Sequence, residues 1–221
     1  MLFVLTKRIS TGLKLTHEPN LNPQELFGGI DIYLFDQLLK GRLNPQMQLL
    51  DAGCGGGRNL NYFLRSGYAV CGVDQSSTSI AQVRALAARL APHLPVDNFR
   101  IEPVERMSFE ESSFDIVISS AVLHFARDEN HWQAMVTEMW RVLKPGGILF
   151  ARLASTLGIE DQVKRIAGRR FHLPDGSDRF LVDEQMLSTT SAALGGELLE
   201  PFKTVVVHSM RSMSNWVLRK V

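Results

Sequence analysis

Nine consecutive residues concentrate the chemistry of this sequence: Asp51-Ala52-Gly53-Cys54-Gly55-Gly56-Gly57-Arg58-Asn59, directly after the apolar pair Leu49-Leu50. Glycines let a backbone approach a ligand closely, but dinucleotide fingerprints, phosphate loops and plain tight turns all use them. The neighbouring acids narrow the choice. Asp51, two residues ahead of Gly53, would repel a pyrophosphate and suits a ligand carrying an ammonium and a sulfonium, which favours S-adenosylmethionine over NAD. Asp74, closing the next apolar run in Gly72-Val73-Asp74-Gln75, offers an acceptor-only side chain for two ribose hydroxyls. Each acid has a plainer alternative: Asp51 as the cap of the turn behind it, Asp74 as the cap of a helix starting near Ser76.

A third chemical candidate is His124, in Ser119-Ser120-Ala121-Val122-Leu123-His124. It follows an apolar run whose C-terminal end faces the ligand crevice in an open α/β sheet, where a histidine is placed to take a proton from an acceptor. The alternative is a histidine that lines the pocket or bonds a backbone carbonyl. Arg169, Arg170, His172 and Arg179 form a later basic group suited to an anionic acceptor, although Asp161, Asp175 and Asp178 among them favour a solvated, salt-bridged loop. Asp51, Asp74, Asp115 and the histidines show no metal-ligand spacing, so no metal is expected.

These residues need a frame, and the hydrophobic pattern supplies one. Apolar runs at 47–51, 69–73, 99–102, 114–119 and 147–154 alternate with stretches of helical period, as in an α/β domain with a mostly parallel sheet. Asn22 and Pro23 open a predicted helix with Leu26, Ile30, Tyr33, Leu34 and Leu38 on one face and Gly41 at its end. Gly28-Gly29 weakens its first half, so a firm helix is expected from about Ile30. A second predicted helix runs from an Asp128 cap through Trp132, Met135, Val136, Met139 and Leu143 to Lys144-Pro145-Gly146-Gly147. Residues 171–173 and 179–182 flank Pro174-Asp175-Gly176-Ser177 as a hairpin. Asp183 caps a helix ending at Gly195-Gly196. Residues 198–208 and 212–220 then read as an antiparallel pair at one sheet edge.

With 221 residues, 45% hydrophobic and 21% charged, the chain suffices for one core, and we read a single domain over 23–221 behind an arm at 1–22. The net charge of +1 is scattered without a polybasic run, which argues against nucleic acid as partner. Cys54 and Cys71 fall in core or loop segments, so a disulfide framework is not expected and a reducing cytoplasm is. Lys7 and Arg8 follow the short apolar opening, the reverse of a signal peptide's charge order, so neither export nor a membrane span is expected.

Across residues 45–155 the sequence resembles the class I S-adenosylmethionine-dependent methyltransferases, especially the quinone-biosynthesis and tellurite-resistance-type enzymes. The matching pieces are Asp51 to Asn59, Val73-Asp74, Ser113-Phe-Asp-Ile-Val-Ile-Ser-Ser-Ala-Val-Leu-His124 and Arg141-Val-Leu-Lys-Pro-Gly-Gly147. The resemblance implies a doubly wound, Rossmann-like, seven-stranded, mostly parallel sheet with a C-terminal antiparallel edge pair. It implies S-adenosylmethionine as cofactor. Gly53, Cys54 and Gly55 would border its methionine part, Asp74 and Gln75 its ribose, and Val104 and Glu105 its adenine. Ser119 and Ser120 would lie near the amino-acid end. Arg42, just before the first strand, is our candidate for the cofactor carboxylate, with a solvated surface arginine as the alternative. Pro103 departs from the family, which carries an adenine-reading acid there. Glu102 or Glu105 would replace it, or packing alone would hold the base.

The function expected is in-line methyl transfer to a small-molecule acceptor. No Asn-Pro-Pro-Tyr-like motif follows the fourth strand, and no basic domain is appended, which disfavours nucleic acid as acceptor. Acceptor choice is assigned to residues 22–40 and to a lid over 155–182, with Tyr33 either closing the crevice or packing in the core. The rivals are a cofactor-binding module or partner subunit without turnover and, further off, an NAD-dependent oxidoreductase.

Overall fold

The structure is a computed structural model, and it describes residues 22–221. Apart from Asn22, the expected arm lies outside the described residues. The first helical stretch is two helices, α1 (Pro23–Phe27) and α2 (Ile32–Leu39). Asn22 caps the first through Gln24 N and Asp31 caps the second through Tyr33 N. The interruption falls at the expected Gly28-Gly29, and the second helix starts two residues after Ile30 because the Asp31 carboxylate turns inward to Ser120 and Arg152 and caps only a helix that starts after it.

The main sheet follows the apolar runs: β1 (Gln48–Ala52), β2 (Ala69–Asp74), β3 (Phe99–Ile101), β4 (Phe114–Ser120) and β5 (Leu143–Ala154). Helices α3 (Asn61–Arg65) and α4 (Ser77–Leu90) follow β1 and β2, and α5 (Glu129–Val142) follows β4. After β5 come β6 (Lys164–Ala167), β7 (Arg170–His172) and β8 (Asp178–Phe180), then α6 (Glu184–Ala193), β9 (Gly196–Leu198), β10 (Lys203–Val207) and β11 (Arg211–Lys220). Strand order is β10-β11-β5-β4-β1-β2-β3, parallel from β5 to β3 and antiparallel at β11 and β10.

The seven expected strands are present, and β9 makes an eighth by pairing with Leu218–Lys220. Ten-residue β11 outruns β10, which pairs only with Arg211 to Asn215. The rest of that edge would stand open, and β9 covers it. The hairpin at β7 and β8 carries a third strand, β6, in a separate small sheet. β6 escaped the sequence reading because it is exposed along its whole length and shows no alternation.

Both faces of the sheet are covered. One layer packs Leu34, Phe63, Ile80 and Val83 from the α2, α3 and α4 side. The other packs Trp132, Met135, Val136 and Met139 of α5 with Leu187 of α6 and Trp216 of β11. Trp132 stacks on Trp216 at 6.0 Å and on Phe180 at 6.1 Å, so the small sheet is anchored to the core through an aromatic row. Each such burial contributes roughly 1.5–3 kcal/mol. The C-terminal ends of β1, β2 and β4 are thereby held on a rigid base.

Candidate functional site

At the end of β1 the chain reverses sharply. Gly53 N and Cys54 N both donate to Val73 O, at 2.8 and 2.9 Å, which ties the loop to β2. Gly53 adopts φ +85°, and a Cβ there would lie 2.5 Å from Val122 Cγ2. Gly55 (φ +52°) differs: a Cβ would meet nothing within 4 Å and would stand in the open crevice. Its N–H donates to Asp74 Oδ2 at 3.0 Å. The glycines thus meet two demands, a backbone turned through the left-handed region and a cradle left bare for a ligand.

Three cavities open on this end of the sheet. The first, about 520 Å³, is walled by Gly53 to Asn59 with Gly29 and Ser120. The second, about 360 Å³, is walled by Asp74, Gln75, Pro103, Val104, Glu105, Val122, Phe125 and His131 among others. The third, about 390 Å³, is walled by His124, Arg152, Leu173, Asp175, Arg179, Arg211 and Met213 among others. Ala121 borders all three. Its φ of +65° is uncommon for a residue with a Cβ, and it sits immediately after β4, where its N–H donates to Arg152 O at 2.8 Å. Backbone held in this region costs roughly 1–3 kcal/mol and concentrates at functional positions.

Of the residues singled out from sequence, Gly53, Cys54, Gly55, Asp74, Gln75, Val104, Glu105, Ser120 and His124 border one or other cavity. Asp74 does not cap α4, whose N-cap is Ser76, but it borders the second cavity. Its Oδ1 accepts from Ser76 N at 2.9 Å and its Oδ2 from Gly55 N, yet a carboxylate has further lone pairs facing the second cavity. Asp51 is buried beneath the loop rather than in a cavity wall, and its Oδ2 has no hydrogen-bond partner among the described residues. Burial pushes its carboxyl up to about 7, with Arg58 opposing the shift and Asp74 adding to it. Ser119 is likewise buried within the sheet, its Oγ without a partner.

Arg42 is a correction. It stands before β1, at the opposite end of the strand from the glycine loop, bonded to Gln37 Oε1 (2.6 Å), Glu200 Oε2 (3.2 Å) and Leu199 O (2.9 Å). Its fork joins the α2 end to the segment before β10, which leaves it structural. A cation that does stand at the glycine loop is Arg58, which borders the first and third cavities and donates to Ser120 Oγ at 2.9 Å. Its place inside the glycine loop was the signal that should have singled it out.

Asp31 was missed altogether. Its side chain is fully buried, accepts from Ser120 Oγ and Arg152 Nη1 at 3.0 Å each, and lies 3.9 Å from Arg58 Nη2. It binds the α1–α2 segment to the ends of β4 and β5. Tyr33 lies with its ring 5.5 Å from the Arg152 guanidinium, beside this network. Glu102 turns away to Ser108, whereas Glu105 Oε1 stays at the second cavity, 3.1 Å from His131 Nε2. Of the two acids weighed in place of the one missing at Pro103, only Glu105 borders the second cavity. His124 is buried, its Nδ1 has no partner, and burial with Arg179 and Arg152 nearby pushes its pKa down to about 4. The imidazole is therefore neutral at pH 7.

Residues 50–151 match the family described as Methyltransferase domain. The ubiquinone biosynthesis O-methyltransferase of Chelativorans sp. is 30% identical over 172 residues, 74% of this chain and 63% of that protein. This chain carries a methyltransferase domain with the fold of the class I S-adenosylmethionine-dependent methyltransferases. It spans about half the length of the curated relatives it matches, with 46%, 63% and 40% of the first three covered. A Methanosarcina mazei S-adenosylmethionine-dependent methyltransferase structure has a TM-score of 0.68 at 21% identity, covering 83% of this chain and 97% of that one. The 1,6-didemethyltoxoflavin-N1-methyltransferase of Burkholderia thailandensis, solved with its acceptor and S-adenosylhomocysteine, has a TM-score of 0.64 at 20% identity, covering 83% and 75%. At such identities these two show the shared fold. S-adenosylmethionine is the cofactor of this methyltransferase domain, and the crevice fits it: a bare glycine cradle, an unpartnered buried carboxylate at Asp51 for a cationic group, and acceptor capacity at Asp74.

Proposed function

We propose that the protein transfers a methyl group from S-adenosylmethionine to a small-molecule acceptor. The observation that carries this reading is the meeting of the glycine-loop cavity, the Asp74 cavity and the arginine-lined cavity at Ala121. Arg58 and Ser120 would hold the amino-acid end of the cofactor, with Asp51 beneath it. Asp74 and Gln75 would hold the ribose, and Val104, Glu105 and His131 would surround the adenine. The cofactor supplies a methyl on a sulfonium: a nucleophile on the acceptor forms the new bond in line, the old methyl–sulfur bond breaks with its electron pair left on sulfur, and any acceptor proton departs.

The chain's own task is placement and exclusion of water, which can be worth about 7–11 kcal/mol. The α1–α2 segment, pinned by Asp31, roofs the first cavity through Gly29, and the small sheet roofs the third through Leu173 to Arg179. We assign acceptor choice to these two roofs, with the β10–β11 turn as a third wall. His124, neutral and at the third cavity, is the candidate to receive an acceptor proton. The two free cysteines suit a reducing cytoplasm.

Calorimetry with S-adenosylmethionine, S-adenosylhomocysteine and NAD should show binding of the first two alone. Turnover of thiols, phenols, quinols, amines or oxyanions, read as S-adenosylhomocysteine release, should follow with a suitable acceptor. NAD binding in place of the others would mean an oxidoreductase. Asp74→Ala should weaken S-adenosylhomocysteine about ten- to a hundredfold, the worth of about one charge-assisted hydrogen bond. Because the same carboxylate holds Gly55 N and Ser76 N, this variant should also melt several degrees lower, so affinity is compared below its melting range. An unchanged affinity removes Asp74 from the site.

A further inference from the structure

The third cavity has an electrostatic character that the other two lack. Four guanidiniums border it, from Arg58, Arg152, Arg179 and Arg211, against one carboxylate, Asp175. A second carboxylate, Asp31, sits behind Arg152 and Arg58 and is already engaged by both Arg152 and Ser120. Asp175 is occupied by Ser177, whose N and Oγ it accepts at 3.0 and 2.6 Å. Arg152 Nε is buried without a partner. Arg179 donates only to the carbonyl of Asp178 among the described residues, while its guanidinium lies 4.9 Å from the Phe125 ring. Neither Arg179 nor Arg211 has a salt bridge to a described residue. The rest of the wall is apolar: Ala121, Ala154, Leu173, Val207 and Met213.

Asp175 faces Arg179 and Arg211, yet four cations against two carboxylates leave an excess of positive charge on a concave site, and a fold keeps such an arrangement where a ligand completes it. Guanidinium forks match planar or tetrahedral oxyanions in particular. We propose that the third cavity binds a small organic anion, its carboxylate or phosphate held by Arg152, Arg179 and Arg211 and its apolar body laid along Leu173, Val207 and Met213 toward Ala121. This rests on the methyl-transfer reading and gives its acceptor a chemical class. The field at His124 agrees, since Arg179 and Arg152 both act to keep its imidazole neutral. An anion between them would weaken that effect and make His124 a better proton acceptor when the site is filled. A cavity of about 390 Å³ suits a molecule of one or two rings rather than a bare ion.

The test uses the whole protein saturated with S-adenosylhomocysteine and reads binding by ligand-observed NMR and calorimetry. The probes are 4-hydroxybenzoate, its neutral counterpart 4-hydroxybenzamide, phenyl phosphate and inorganic phosphate. At least one of the two organic anions should bind ten times or more tighter than the amide, and its affinity should fall with added salt. The double variant R179Q/R211Q should lose that preference, R179K/R211K should retain part of it, and both should bind S-adenosylhomocysteine within about twofold of the parent. Which organic anion binds tells carboxylate from phosphate. Equal binding of the amide, a preference that survives in R179Q/R211Q, binding of inorganic phosphate alone, or no binding by any probe overturns the proposal. Loss of S-adenosylhomocysteine binding by the parent would instead refute the methyl-transfer reading beneath it.

Discussion

S-adenosylhomocysteine should bind about tenfold more weakly at pH 6 than at pH 8, and this slope should vanish in Asp51→Asn. The Asp51 carboxyl is wholly buried, lacks a partner at Oδ2 and sits at about 7 because burial penalises its charge. A ligand ammonium favours the ionised form, so binding must first draw off the proton wherever the free protein holds it. With a single group near 7, the ionised fraction falls about tenfold over those two pH units and continues down roughly tenfold per unit below them. Asp51→Asn keeps the shape, removes the charge and should cost about ten- to a hundredfold in affinity at pH 8.

The stability of the free protein should move the opposite way. The folded-state value is raised from 3.8, so the stabilisation is complete below about pH 4 and is lost as pH rises toward 7. Asp51→Asn should therefore melt higher than the parent at pH 8 and about equal to it at pH 4. Affinity and melting temperature would then trade places across one titration, a signature that a simple capping role for Asp51 does not produce. A flat affinity profile in the parent would remove the carboxylate from cofactor binding.

Gly53→Ala should be strongly damaging for a single added methyl. A Cβ at Gly53 would stand 2.5 Å from Val122 Cγ2 and 2.7 Å from Cγ1, and the backbone there is left-handed. The backbone contributes about 1–2 kcal/mol of strain and the overlap about 1–3 kcal/mol more. Val122 follows Ala121, so moving it displaces the turn at which the three cavities meet. Chemical denaturation should show a loss of roughly 2–5 kcal/mol, with cofactor binding lost by an order of magnitude or more. Gly53→Ala with Val122→Ala should recover the steric share while the backbone share remains. Absence of any recovery would place the damage elsewhere. Gly55→Ala should leave stability closer to the parent, because its Cβ meets only open space, and should act mainly on binding.

Much of the frame is legible in the chain because it is local. β1, β2 and β4 read as strands since both sheet faces are buried and the runs are almost continuously apolar. α5 read correctly at its start and along its face, because Trp132, Met135, Val136 and Met139 share one helical face and Asp128 accepts from His131 N, but it ends at Val142 and Leu143 already opens β5, ahead of the expected stop at Lys144 to Gly147. Glycine, Asp51 and Asp74 could be assigned together because their constraints run along the chain, over a loop and the next strand end. The strand after α6 and the first strand of the small sheet were harder. β6 is exposed and β9 has only three residues, so each exists by its pairing, β6 with the neighbouring β7 and β9 with β11, rather than by its own pattern.

What the sequence by itself determined was the order of elements, the glycine loop and the acids flanking it, since backbone conformation and hydrophobic period act over a few residues. Tertiary structure alone decided which charges share a space. Arg42 and Arg58 are both arginines near β1, yet one is locked by Glu200 and Leu199 below the sheet and the other stands in the crevice, 3.9 Å from Asp31. Arg152, Arg179 and Arg211 come from β5, β8 and β11, and Asp31 from the start of α2, with spacings along the chain that announce nothing. Electrostatic interaction depends on distance through space and on burial, so the third cavity and its guanidiniums appear only when the sheet order β11-β5-β4 brings those strand ends side by side.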